Sequence, residues 1–416
     1  MFCPSILGGE WRSTLSIPAY ILLLITPGAG LAYIATIPTT TLSTYKKQIL
    51  SIPLLVVDIL TTVLFRTDFI LIDFMMPACT FIIFCRFLEL IWTGPLIYGR
   101  EAYTTKGSLH TEFWSCIRYF PKPAKKHDVS LKKNQIEYVK DKKFYNILPM
   151  LMYYIVGWDI LATWLTTFTR DDIHNINRDK SLVSFIVYYI TLVILNNAGN
   201  VIGCIGQLIY VLYYEGGTYS SGQWRDLMNN PMFSTSISDY WTHRWQQIMR
   251  PTFLALVYRP VSYYCQKLLS KYTRNTAIYS QGLSVLAVFT LSGAMHEYIA
   301  FCNLGWPTHS KIFLGEQQLL FMLYAPLIIF EKALRSISYR CLPLSFIKSF
   351  PVQCIQRLWA MVISYIIFSR ILETFTYSGF RFRLPFTILG PQIIEFLRQT
   401  PALHGLCGSL LTTLST

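Results

Sequence analysis

Residues 181–214 run for 34 positions without one charged side chain. At ~1.5 Å rise per residue, a helix of that length reaches roughly 50 Å. That exceeds the ~30 Å hydrocarbon core of a bilayer, so the run reads as a membrane span that is strongly tilted or broken. Asn196-Asn197-Ala198-Gly199-Asn200 marks the place for a break. Further apolar runs cover 17–38, with no charge, 49–65, with Asp58 alone, 69–98, with Asp73, Arg86 and Glu89, and 145–169, around Asp159. Runs at 276–301, 317–330 and 358–369 follow, the last two short and flanked by charges able to snorkel. Arg86 and Glu89 lie three apart and can pair on one helical face.

Composition agrees. The chain is 53% hydrophobic and 14% charged, against ~25% charged in an ordinary soluble domain. Too few charges remain for a polar shell. The expected fold is an all-α polytopic membrane protein of about eight or nine transmembrane helices, one integral membrane domain over residues 1–416.

The net charge of +14 is concentrated. Nine Lys and Arg stand between Arg118 and Lys143 against three acids, without the alternating aromatics that base stacking requires. Nucleic acid is therefore not an expected partner, and 99–144 reads as a basic cytosolic loop under the positive-inside rule. Three spans precede it, which puts the N-terminus outside and the Lys46-Lys47 connection in the cytosol. The charge-balanced connection 170–180 then falls on the far side, and 215–250 returns to the cytosol. The stretch 251–269, with Arg259-Pro260 inside it, reads as interfacial or re-entrant. Glu10 and Arg12 precede the first apolar run, which reads as a retained span rather than a cleaved signal. The ten Cys are scattered with no C-x-x-C pair, so neither a disulfide framework nor a structural zinc site is expected.

Of seven His, six fall in expected loops or tails. His296 alone sits inside an apolar span, in Ser292-Gly293-Ala294-Met295-His296-Glu297. An ionisable group within the bilayer is a functional candidate by default, beside the plainer reading of a neutral His bonded between helices. A zinc H-E-x-x-H motif fails because its second His position is Ala300. Ser292 shares the His296 face one turn away, but no Asp completes a serine triad in this segment. A His that deprotonates an alcohol directly needs no nucleophilic residue.

The densest polar-aromatic stretch is 224–250, with three Trp, two Asn, a Ser/Thr run and Arg244 and Arg250. Ser238 or Asp239 can cap a helix, and the two Arg can contact phosphates. A Trp-rich interfacial belt is the plainer alternative.

Ser234-Thr235-Ser236-Ile237-Ser238-Asp239-Tyr240-Trp241-Thr242-His243-Arg244-Trp245-Gln246 resembles the Ser-Thr-Ser-Leu-x-Asp-Phe-Trp-x-x-Arg-Trp-(His/Asn) signature of wax-synthase-type members of the membrane-bound O-acyltransferase family. About fifty residues later the family carries Ser-Gly-x-x-His-(Glu) in a membrane helix, matched here by Ser292 to Glu297. The resemblance covers 224–301, within a catalytic region at 215–301; the N-terminal half matches in hydropathy alone. Gln246 departs from the usual His or Asn, and His243, three residues earlier, is the other candidate for that role.

The resemblance implies an acyl-CoA co-substrate, acetyl-CoA for preference, a lipophilic alcohol arriving through the bilayer, no metal or redox cofactor, and residence in the endoplasmic reticulum. It implies His296 as general base, Gln246 on the oxyanion, and Ser292 and Glu297 as residues fixing the imidazole. Asp239, Trp241, His243, Arg244, Trp245 and Arg250 are the implied substrate-binding set, with Arg244, Arg250 and the basic loop toward CoA phosphates. The divergence at Gln246 favours O-acetylation of a terpenoid or meroterpenoid secondary metabolite; wax ester synthesis on long-chain alcohols is the alternative. A transporter using Glu297, Asp58 or Asp159 as titrating groups is the competing class.

Overall fold

The structure, a computed structural model, describes residues 8–120, 140–179, 182–273, 276–347, 349–377 and 387–412. Part of the basic loop, 121–139, lies outside the described residues, including Lys122, Lys125, Lys126, Lys132 and Lys133. Among the described residues, strand is confined to two pairs of two-residue segments. Everything else is helix or connection, as a bilayer demands of a backbone that must satisfy its own hydrogen bonds.

The helices are α1 (Ile17–Thr36), α2 (Thr44–Leu64), α3 (Ile70–Leu88), α4 (Lys106–Trp114), α5 (Ile147–Leu165), α6 (Arg170–Asp179), α7 (Leu182–Tyr214), α8 (Arg259–Leu269), α9 (Thr276–Thr308), α10 (Glu316–Cys341), α11 (Phe350–Tyr377) and α12 (Gly390–Gln399). Among the described residues, seven are long and apolar enough to cross a membrane, α3 counting with its extension to Tyr98 through a wide turn at Glu89–Thr93. Helix α10 has the length, at 26 residues, but carries Glu331, Lys332, Arg335 and Arg340 in its C-terminal half. It brings the number of long helices to eight.

One of the expectations changes here. The 33-residue α7 is one uninterrupted helix, so the Asn cluster is not a break. Asn196, Asn197 and Asn200 are buried and, as described below, Asn196 and Asn200 bond outward to a loop. The stretch 251–269 is helical with a wide turn at Leu254–Tyr258, and α8 lies along α9. The Arg86–Glu89 pair forms, at 2.8 Å, and Glu89 also takes Arg100.

Packing divides into two parts. Helices α1 to α3 enclose a small core of Leu31, Ala35, Leu55, Phe87, Leu90 and Ile91. The main core gathers side chains from α3, α5, α6, α7, α9, α10 and α11, including Trp158, Tyr188, Phe289, Phe321 and Phe368, and takes in Tyr240 and Trp245 from the segment before α8. The two parts meet at α9. Tyr298 donates its hydroxyl to the Ile59 carbonyl (2.6 Å), and Arg12 reaches Asn303 (3.3 Å). Gly305, at φ +74°, kinks α9 there; an added Cβ would stand 3.1 Å from the Gly8 carbonyl oxygen.

Candidate active site

The site is assembled by a segment with little regular structure of its own. Ser236 caps a short helical turn by accepting the Asp239 N–H (2.8 Å). The chain then widens into a π turn at Tyr240–Arg244 and becomes extended at Trp245. Asp239 closes the turn, accepting from Arg244 Nε (2.7 Å) and the Thr235 N–H (3.1 Å). Burial pushes the Asp239 carboxyl up, but the Arg244 guanidinium and the Thr235 N–H outweigh it and hold the group below the usual carboxylate range. Arg244 also exchanges backbone and side-chain bonds with Asn229. Asp239 and Arg244 are thus partners of each other.

Neighbouring helices fix this segment from two sides. On α7, Asn200 accepts the Met228 N–H (3.1 Å) and donates to the Met228 carbonyl (3.0 Å), as a paired strand would. Asn196, one turn earlier, accepts the Asn230 N–H (3.0 Å). Gly199 lies between them, where a Cβ would stand 2.5 Å from Met228 Cγ. On α10, Glu331 accepts the N–H groups of Ile237 (2.9 Å) and Ser238 (3.3 Å).

Held this way, the segment roofs a cavity of about 170 Å³ whose floor is α9. His296 and Ser292 line it from α9, with Val285, Val288 and Phe289 on the same helical stripe. Trp241, Trp245, Gln246 and Arg250 line it from the roof, and Ile328 and Lys332 from α10. Six of the ten expected site residues therefore share one cavity, though His296 and Gln246 stand 50 residues apart in sequence. Trp245 stacks on Tyr240, with centroids 5.3 Å apart, and Trp241 meets Tyr324 edge-on at 4.8 Å. The walls are mostly aromatic and apolar, and the exposed Arg250 and Lys332 stand at the rim.

His296 is buried, its imidazole stacked on Phe321 (4.2 Å, 24°) with Phe375 at 5.7 Å. Its Nδ1 has no hydrogen-bond partner among the described residues. Glu297 does not supply one. Its carboxylate turns away, to His309 Nε2 (2.7 Å) and the Gln318 N–H (3.1 Å). Any hold of Glu297 on the imidazole is therefore indirect. Adjacent residues on a helix point ~100° apart, so Glu297 cannot share the face of His296.

Three more expected residues stand outside the cavity. Asp239 and Arg244 are engaged in the turn. His243 is exposed, 3.0 Å from Thr242 Oγ1 and 3.6 Å from Asp239 Oδ1. It shares no helical face with Gln246, because the helical geometry ends between them: Gln246 has φ +27°, in the left-handed region. Within the basic loop, Arg118 is committed to Glu215, Tyr210 and Gln223 and lies over the Tyr210 and Trp224 rings. His309, expected in a loop, is buried at the end of α9. Phe321, Ile328, Lys332 and the cavity-lining Met249, Phe253, Leu254 and Tyr258 were not singled out as site residues by sequence; apart from Lys332, their signal is an apolar stripe indistinguishable from core.

The acids that a proton relay would use are placed as follows. Asp159 accepts the N–H groups of Ile388 and Leu389 (2.8 Å each), a capping role. Asp58 is buried with neither oxygen hydrogen-bonded among the described residues. No described contact links Asp58 to the cavity.

Comparison with known proteins points to the same region. Residues 224–316 match the profile described as the membrane bound O-acyl transferase family. A 139-residue stretch is 28% identical to the Arabidopsis thaliana protein named probable long-chain-alcohol O-fatty-acyltransferase 7, covering 33% of this chain and 35% of that one. A 75-residue stretch is 33% identical to probable long-chain-alcohol O-fatty-acyltransferase 2 of the same plant, covering 18% of this chain and 20% of that one.

Proposed function

We propose, from the match of residues 224–316 to the membrane-bound O-acyltransferase family in a chain with seven helices able to cross a membrane, that this protein transfers an acyl group from acyl-CoA to the hydroxyl of a lipophilic alcohol. The observation that carries the reading is the buried His296 lining one apolar cavity with Gln246, Trp241 and Trp245. The mostly apolar lining suits a lipophilic alcohol better than water as the acceptor, which favours ester formation over thioester hydrolysis.

In this reading His296 takes the hydroxyl proton as the alcohol oxygen attacks the thioester carbonyl carbon. The tetrahedral oxyanion is met by the Gln246 carboxamide, a contribution of ~3–4 kcal/mol where such donors have been removed in other enzymes. The C–S bond then breaks and the imidazolium returns its proton to the thiolate. Ester and free CoA leave, and no residue of the chain is acylated. In the same reading Arg250 and Lys332, the cations at the rim, meet the phosphates of the thioester's carrier.

The acceptor is a long-chain alcohol first, since both relatives carry that activity in their names. O-acetylation of a terpenoid, suggested by Gln246 alone, has no further support and enters as the second arm of the test. The membrane is taken to be the endoplasmic reticulum, which co-migration with a marker of that compartment checks.

Membranes carrying wild type or His296→Ala are given labelled long-chain acyl-CoA or acetyl-CoA with fatty, sterol and terpenoid alcohols. Wild type forms an ester with release of one thiol per ester, and His296→Ala is slower by ~10²–10⁴-fold. Equal rates remove His296 from the chemistry. A wild type that forms no ester from any pair returns the proton-relay alternative, with Asp58 as its first residue to mutate.

A further inference from the structure

An imidazole that acts as a base needs its ring held, and that of His296 is held by aromatic faces. Phe321 comes from α10 and Phe375 from α11, so the bed on which the ring lies exists only while both helices keep their register against α9. The first turn of α10 shows what sets that register. Gln318 is engaged by α9 at three levels along one face: its side chain donates to the Thr290 carbonyl (3.0 Å), its Cα closes against Gly293, and its N–H donates to Glu297 (3.1 Å). A Cβ on Gly293 would stand 2.9 Å from Gln318 Cα and 3.1 Å from its carbonyl oxygen. The preceding residue, Gln317, is fully buried and donates to Thr374 Oγ1 on α11 (2.8 Å), next to Phe375.

We infer that Glu297, Gln317 and Gln318 form a clasp that positions His296 by locking α10 to α9 and α11, so that Phe321 and Phe375 hold the imidazole in its reactive orientation. Glu297 is a positioning residue. It acts through backbone register, and its charge is spent on His309 rather than on the imidazole. Phe321 follows Gln318 by three residues and Gln317 by four, so a shift of the first turn is passed to the ring with little attenuation. The inference rests on the acyltransferase reading for its kinetic test and has a second readout independent of it.

The variants are Glu297→Ala, Glu297→Gln, Gly293→Ala and Gln317→Ala, in the full chain in membranes. Glu297→Ala and Gly293→Ala should lower kcat by about 10–100-fold, the cost of misplacing a catalytic group by an ångström. KM should stay within about threefold, since ground-state contacts are untouched. Glu297→Gln keeps an oxygen for the Gln318 N–H and should recover about tenfold over Glu297→Ala, with the wild-type pH profile. A Glu297→Gln as slow as Glu297→Ala, or with a displaced pH profile, overturns the clasp in favour of direct action by the carboxylate. Wild-type kcat in Gly293→Ala overturns it as well. If the α9 variants fail to accumulate in the membrane, Gln317→Ala carries the test from the α11 side. It should lose about 3–10-fold in kcat alone, and an unchanged kcat overturns the proposal.

Carbethoxylation of His296 by diethyl pyrocarbonate, followed by mass spectrometry, reads ring exposure without any substrate. Faster modification in Glu297→Ala and Gly293→Ala supports the clasp even should wild type esterify nothing, an outcome that sinks the acyltransferase reading alone. Equal modification rates sink the clasp.

Discussion

Gln246 holds a backbone conformation that few side chains tolerate. At φ +27° it is one of two non-glycine residues described in the left-handed region, the other being Asn230. Asn, Asp and His are enriched there because short polar groups can bond locally. The related signature places His or Asn at this position, and the conformation supplies a reason beyond chemistry: the residue must both offer a polar group and accept the turn. Gln246→Asn should therefore keep ester formation and unfold no earlier than wild type. Gln246→Val should lower stability by ~1–2 kcal/mol, read as an earlier thermal transition in detergent. His296 was legible because an ionisable group in an apolar span is costly, and Trp241 and Trp245 through the resemblance of the 234–246 stretch. Phe321 was not, since an aromatic on an apolar helix face reads as core whether or not an imidazole lies on it. Glu297 was legible as a residue but not in its direction, which depends on a helix that arrives 21 residues later.

Helix α7 shows the same limit for an element. Its apolar run was plain, and the Asn cluster in the middle was equally compatible with a break or with a docking face. Asn disfavours helix interiors when its side chain bonds nearby backbone. Here the side chains of Asn196 and Asn200 bond a loop 34 and 28 residues away, so the helix continues and the loop gains its pairing partners. Asn200→Ala should leave the buried Met228 N–H and carbonyl without partners, at ~1–3 kcal/mol. Thermal unfolding in detergent measures that loss. The same variant should slow ester formation, because Met228 also accepts the Gln246 N–H at its sulfur (3.0 Å).

Across the whole molecule, the span-by-span reading recovered the helical architecture but not how its ends are fastened. No periodicity announces that the C-terminal segment folds back on α6. Asp172 accepts the Thr169 N–H (2.7 Å) and both the N–H (3.0 Å) and hydroxyl (2.8 Å) of Ser409. Burial pushes this carboxyl up, and the hydrogen bonds from Thr169 and Ser409 outweigh it, leaving it below the usual carboxylate range. A folded value below the unfolded one stabilises above the unfolded pKa of ~3.9 and is lost as pH falls through the folded value. Wild type should hold a thermal-stability advantage over Asp172→Asn at pH 6 that shrinks below about pH 4. An advantage that persists at pH 3 would mean the tie works without its charge.

One ring nitrogen of His296 is sealed among aromatic carbons, so the imidazole has a single door for protons. On the acyltransferase reading, what enters through it from the alcohol must leave by it to the departing sulfur. The same reading then expects alcohol and thioester to be bound together, with the imidazole passing the proton from one to the other in a single ternary complex.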